Sequence, residues 1–250
     1  MTLLALTDVS RRLRDGAREL TVLDGVSFDV SAGELVGVYG ERRCGKSTLM
    51  RIFAGLEAPD GGSVKFDGRD IARLSIGGRA RLRRRGGLAL VSGDSGPLWS
   101  SQPVIEHVAL PLTNDGLTLR ESEGLARPVL EQVGVAALEH LRLDRLSLSD
   151  RVRVELARAL VREPRLVLFD EPAVLPGPSD SRELHGLLRA LAKSGIAVVI
   201  ASQDMNALAG VQRFLTLSDG RLRSTDSRRR VIPFPGARGG AQRRLQQGSP

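Results

Sequence analysis

Residues 35–57, LVGVYGERRCGKSTLMRIFAGLE, constrain the fold of this 250-residue chain more tightly than any other stretch. An apolar run of strand length enters a loop, residues 40–48, that satisfies G-x-x-x-x-G-K-[ST] at every required position. Helix-forming residues follow. Such a loop turns successive backbone N–H groups into one concavity, and the helix behind it adds the positive end of its dipole. Gly40 and Gly45 permit the tight turns. Lys46 is a point charge for phosphate oxygens, and Ser47 offers a hydroxyl to Mg²⁺. Glu41, Arg42, Arg43, Cys44 and Thr48 complete the loop as phosphate-site contacts. Arg42 and Arg43 either add charge for phosphates or crowd a turn that prefers glycine, and Cys44 reads as a small loop residue.

A metal held by Ser47 needs a second oxygen donor from across the site. RLVLFDEP (165–172) supplies it: a buried strand ending in Asp170 and Glu171, at the edge where open parallel sheets bind ligands. Asp170 is the predicted Mg²⁺ ligand, and Glu171 the group that takes a proton from attacking water or orients it. The surrounding pattern alternates. RVRVELARALVRE (151–163) predicts an amphipathic helix, SRELHGLLRALAKSG (181–195) another, and IAVVIAS (196–202) a second buried strand. Continuous apolar strands between helices predict an α/β chain with a mainly parallel sheet covered on both faces.

Elsewhere the signals are weaker. Residues 1–30 predict short strands joined by the polar DGARE, and GGSVKFDGRDI (61–71) a strand and turn. RARLRRR (79–85) predicts a solvated helix or loop face. Residues 104–145 predict helix, with Pro128 starting or kinking one. Residues 223–250 predict a basic, mobile tail.

Composition excludes several classes. No apolar run is long enough to span a bilayer, and MTLLALTDVS carries no secretory pattern. Cys44 is the one cysteine, so no internal disulfide forms and a reducing, cytosolic setting is expected. The net charge of +8 raises nucleic acid or anionic lipid as partners. Aromatic residues are only 3%, which argues against stacking platforms for single strands.

With the loop, the DEP strand and the helix RVRVELARAL leading into it, the chain resembles the ATP-binding subunit of an ABC transporter from about residue 2 to 222. SAGELVGVYGERRCGKSTLMRIFAGLEAPDGGSVKFDGRDI carries most of the likeness. RRRGG and VIEHVALPL are similar to lipoprotein-release and macrolide-export subunits. The resemblance implies a RecA-like P-loop core with an N-terminal antiparallel β portion and a helical subdomain inserted at roughly 93–150. It also implies ATP and Mg²⁺ as ligands, and a dimer in which each ATP lies between one chain's phosphate loop and the other's signature motif. Transmembrane subunits would dock on the helical part, placing the chain on the cytoplasmic face of the membrane.

Several positions depart from the family pattern. LSLSD stands where the signature reads LSGGQ: Leu146 and Ser147 are kept, Leu148 and Ser149 replace glycines, and Asp150 replaces glutamine. Gln203 stands where the switch histidine belongs, Gly93 or Asp94 where the Q-loop glutamine belongs, and Gly177 at the D-loop aspartate. Leu13 falls near the aromatic that stacks on adenine. These changes predict a transport ATPase with impaired or asymmetric hydrolysis, paired either with a second copy of itself or, as the favoured reading, with a better-equipped second ATP-binding subunit. Two other readings remain at this point. One is a non-hydrolysing ATP-binding regulator. The other is a soluble P-loop ATPase acting on nucleic acid, disfavoured because no second ATP-binding unit or coiled-coil insertion is present.

Overall fold

The computed structural model describes residues 2–15, 18–92, 101–171 and 178–225. In chain order the strands and helices are β1 (Thr2–Asp15), β2 (Arg18–Ser31), β3 (Leu35–Tyr39), α1 (Lys46–Phe53), β4 (Gly61–Phe66), β5 (Arg69–Asp70), α2 (Ile76–Arg84) and β6 (Leu88–Ser92). They continue with α3 (Val104–Thr113), α4 (Leu119–Gln132), α5 (Leu148–Leu160), β7 (Leu166–Asp170), α6 (Pro178–Lys193), β8 (Ala197–Ser202), β9 (Arg213–Ser218) and β10 (Arg221–Thr225). A four-stranded antiparallel sheet runs β2-β1-β4-β5. A six-stranded sheet runs β10-β9-β3-β8-β7-β6, parallel except for β10.

The apolar strands of the second sheet are divided by their period of two. Leu166 and Leu168 of β7, and Ala197, Val199 and Ala201 of β8, pack with α1 and the antiparallel sheet. Val167 and Phe169, with Val198 and Ile200, pack instead among α3 to α6. Phe53 at the end of α1 stacks on Phe28 of β2, centroids 5.4 Å apart. That contact ties the helix behind the phosphate loop to the antiparallel sheet.

Four expectations need correction. β1 and β2 are 14 residues each, not short strands. They form one long hairpin whose register shifts between Leu6 and Val9 and again between Val9 and Arg12, and those irregularities break the alternation that would mark its length. Pro128 does not start a helix; it lies inside α4, which Thr118 starts with a capping box to Glu121. The helix expected from residue 151 begins at Leu148, inside LSLSD. RARLRRR is a helix face, as expected, but not wholly solvated. Leu82 packs on the core, and Arg83 donates to the carbonyls of Ala54 and Gly55.

Between α3 and α5, His107 Nε2 lies 2.8 Å from Glu155 Oε1. Burial pushes the Glu155 carboxyl up, but the His107 hydrogen bond and charge, with Arg158, outweigh it and hold the group below its ordinary 4.5. A depressed carboxyl contributes stability that is present above the unfolded value and lost as pH falls through the folded one. Glu155→Gln is therefore expected to flatten the acid limb of the stability curve below pH 4.5. Urea midpoints measured across that range check this.

Candidate nucleotide-binding site

The loop 40–48 is built so that two positions accept only glycine. A Cβ on Gly40 would sit 2.5 Å from Cys44 Sγ and 2.8 Å from the Leu217 carbonyl. Gly45 has φ +105°, and its Cβ would lie 2.8 Å from the Val22 carbonyl. Arg43, at φ +63°, adopts the left-handed conformation without being glycine. α1 then starts at Lys46 with no side-chain cap and no acidic residue in its first turn, so its leading N–H groups stay available to an anion.

Lys46 is 4% exposed and fully engaged. Its Nζ donates to the carbonyls of Gly40 and Glu41, both at 2.8 Å, and pairs with Glu171 Oε1 at 2.9 Å. Glu171 itself is held at φ +49°. Its N–H donates to the Ala201 carbonyl, while Oε2 accepts from the Gln203 N–H at 3.2 Å and from Ser202 Oγ at 3.4 Å. The Glu171 carboxylate and the Lys46 ammonium thus neutralise each other across the mouth of the loop.

Asp170, one residue earlier, is 8% exposed. Burial raises its carboxyl above the ordinary value; a hydrogen bond from Ser47 opposes this, and the neighbouring Glu171 charge adds to it. Its Oδ1 is buried with no hydrogen-bond partner. A buried carboxylate oxygen without a partner, beside a serine hydroxyl, is the donor set a hard divalent cation takes. The residues present therefore fit Mg²⁺, whose charge would oppose the effect of burial and hold the carboxyl ionised.

Gln203 takes part through its backbone N–H. Leu13 lies exposed on β1, paired across the hairpin with exposed Leu20. Beside the loop opens a cleft of about 410 Å³ whose walls include Leu20, Val22, Arg42, Cys44, Thr216 and Asp219. The wall from the β9–β10 turn was not foreseen, because SDG carries only a turn signal. Gly93, Asp94 and Gly177 lie outside the described residues.

LSLSD forms its own feature at the start of α5. Ser147 is the N-cap: its Oγ accepts from the Asp150 N–H at 3.1 Å and donates to Asp150 Oδ2 at 2.6 Å. Leu146 and Ser149 are buried, and Leu148 is exposed. Asp150, which stands at the signature's glutamine position, is tied into this cap. Its carboxylate is fixed at the positive end of α5, where it meets the dipole and engages the serine hydroxyl.

A family model described as "ABC transporter" matches residues 23–174. The chain belongs to the ABC transporter family. The lipoprotein-releasing system ATP-binding protein LolD 2 of Caulobacter vibrioides is 37% identical, over 88% of this chain and 96% of its own length. The macrolide export ATP-binding/permease protein MacB 1/2 of Paracoccus denitrificans is 36% identical, over 88% of this chain and 33% of its own. Among solved structures, a dimeric ATP-binding cassette in a post-hydrolysis state with ADP and Pi matches with TM-score 0.79 and 25% identity, covering 89% of this chain and 98% of that one. The chain is thus an ABC ATPase cassette of the LolD and MacB kind, with the expected RecA-like α/β fold. No helix among the described residues is long and apolar enough to cross a membrane.

Because Lys46 must leave Glu171 to reach a phosphate, Glu171→Gln is expected to tighten ADP binding. A partly exposed ion pair contributes up to about 1 kcal/mol, so the gain is about three- to five-fold. Titration calorimetry with ADP, which is not hydrolysed, measures it directly.

Proposed function

We propose that this cassette binds Mg-ATP at its phosphate loop and hydrolyses it in a composite site completed by a second, better-equipped ATP-binding subunit, driving conformational change in transmembrane subunits from the cytoplasmic face. The observation that carries the binding half is the partnerless Oδ1 of Asp170 beside Ser47, facing the Lys46–Glu171 pair.

In this reading Lys46 exchanges the carbonyls of Gly40 and Glu41 for phosphate oxygens. Ser47 and Asp170 would hold Mg²⁺, which would supply positive charge against the phosphates. Glu171, freed from Lys46 and still positioned by the Gln203 N–H, takes the proton of the attacking water or orients it. Gln203 can donate a hydrogen bond to phosphate but carries no charge and shuttles no proton.

The asymmetry rests on Ser147 and Asp150. A helix start that already holds a carboxylate repels a second anion, and its serine hydroxyl is engaged. LSLSD is therefore a poor cover for a partner's ATP, while this chain's own loop faces whatever signature the partner brings. The runner-up, a regulator that holds ATP without turnover, draws on the same Asp150 contact and on Gln203. The nucleic-acid reading gains no support from either named relative, both of which are transport proteins.

The deciding experiment is Mg-ATP turnover of the chain purified with its membrane subunits and second ATPase, with Glu171→Gln in this chain alone. Turnover falling by roughly 10²-fold or more, the scale of a lost general base, supports hydrolysis here. Unchanged turnover with retained ATP binding supports the regulator. Asp150→Ala removes one side of the α5 cap and is expected to cost about 0.5–1 kcal/mol of stability, read by urea unfolding.

A further inference from the structure

Helix α2 has the sequence IGGRARLRR, with Arg85 closing it and no acidic residue in its first turn. Two of its arginines have structural work. Arg79 donates to the Leu74 carbonyl at 2.9 Å, and Arg83 to the Gly55 carbonyl at 3.1 Å, joining α2 to the end of α1. Arg81, Arg84 and Arg85 are exposed and make no ion pair among the described residues. Helical spacing places these three on one face.

The nearby acids are engaged elsewhere. Asp70 pairs with Arg73 at 3.2 Å, and Glu57 with Arg51 at 3.1 Å and Arg11 at 3.8 Å. The arginines also crowd one another: burial first, then the charges of Arg79 and Arg84, pull the Arg83 guanidinium below its ordinary value. An external anion would relieve that repulsion.

Exposed aliphatic side chains accompany the helix. Ile76, in its first turn, is 80% exposed, and Leu74, two residues before it, and Leu56, after α1, are exposed as well. The segment 69–88 contains no aromatic residue, asparagine or glutamine that could stack on or read bases. Guanidinium groups flanked by projecting aliphatic side chains match the boundary between phosphate headgroups and acyl chains.

We propose that α2 is a membrane-surface contact, with Arg81, Arg84 and Arg85 on anionic phospholipid headgroups and Ile76 entering the interface. The inference draws on the proposed function only in placing this face near a membrane; nucleotide use plays no part in it.

The test is co-sedimentation of the full chain with vesicles of phosphatidylcholine and phosphatidylglycerol, against phosphatidylcholine alone. Each basic residue at an anionic surface strengthens binding about five-fold, so Arg81→Gln/Arg84→Gln/Arg85→Gln is expected to weaken it on the order of a hundred-fold. Ile76→Asp weakens it as well. Arg120→Gln/Arg142→Gln/Arg145→Gln removes the same charge from elsewhere and is expected to change little. The proposal is overturned if wild type shows no preference for the anionic vesicles, if both triple variants fall equally, or if the α2 variant binds as wild type does. Loss of co-purification with membrane subunits at full vesicle binding would instead assign α2 to an acidic protein surface. ADP binding, measured on the same samples, is expected to be unchanged; its absence from wild type would sink the proposed function and leave the vesicle result standing.

Discussion

Everything in this chain depends on a sheet that is buried on both faces. β3, β7 and β8 have no solvent side, so every inward or outward position along them must be apolar. Polar chemistry can then appear only where the strands end. Gly40 follows β3, Asp170 ends β7 with Glu171 just beyond, and Gln203 follows β8, so three sequence-distant segments meet at one edge. The two hydrophobic clusters fix that edge, and α1 behind the loop is anchored to the antiparallel sheet through Phe53 and Phe28.

At that edge the charges are arranged in opposition. Lys46, nearly buried, has two carbonyls and a carboxylate around it, whereas Asp170 has a buried oxygen with nothing against it. The imbalance is therefore local to Asp170: the lysine already has its counter-charge, and the aspartate oxygen has no partner. The start of α5 is the reverse case, since Asp150 and Ser147 satisfy each other.

Much of this was legible in the residues. GERRCGKST and LVLFDEP each pair a buried strand with turn and polar residues in a fixed order, and no packing alternative satisfies both. The roles of Gly40 and Gly45 follow from the motif, and the structure gives the reason as backbone and Cys44 sulfur within 3 Å of an added Cβ. The Lys46–Glu171 pair was not legible, because it depends on the register of β3, β8 and β7 across the sheet. The long β1–β2 hairpin was hidden by shifts of register and by the arginines at 11, 12 and 14. The true start of α5 has a sequence signal too, since S-x-x-D before an apolar run is a capping pattern, but the likeness of LSLSD to a glycine-rich loop masks it.

The two-sided sheet also decides which residues are strangers to each other. Leu168 and Phe169 are joined by a peptide bond, yet one belongs with α1 and the antiparallel strands and the other with the helices of the opposite side. Leu168 and Val199, far apart in sequence, share a cluster. Coupling between substitutions should therefore follow the side of the sheet rather than distance along the chain. The sheet acts as a partition, and the two halves of the molecule can drift independently so long as the edge they jointly hold in place stays where it is.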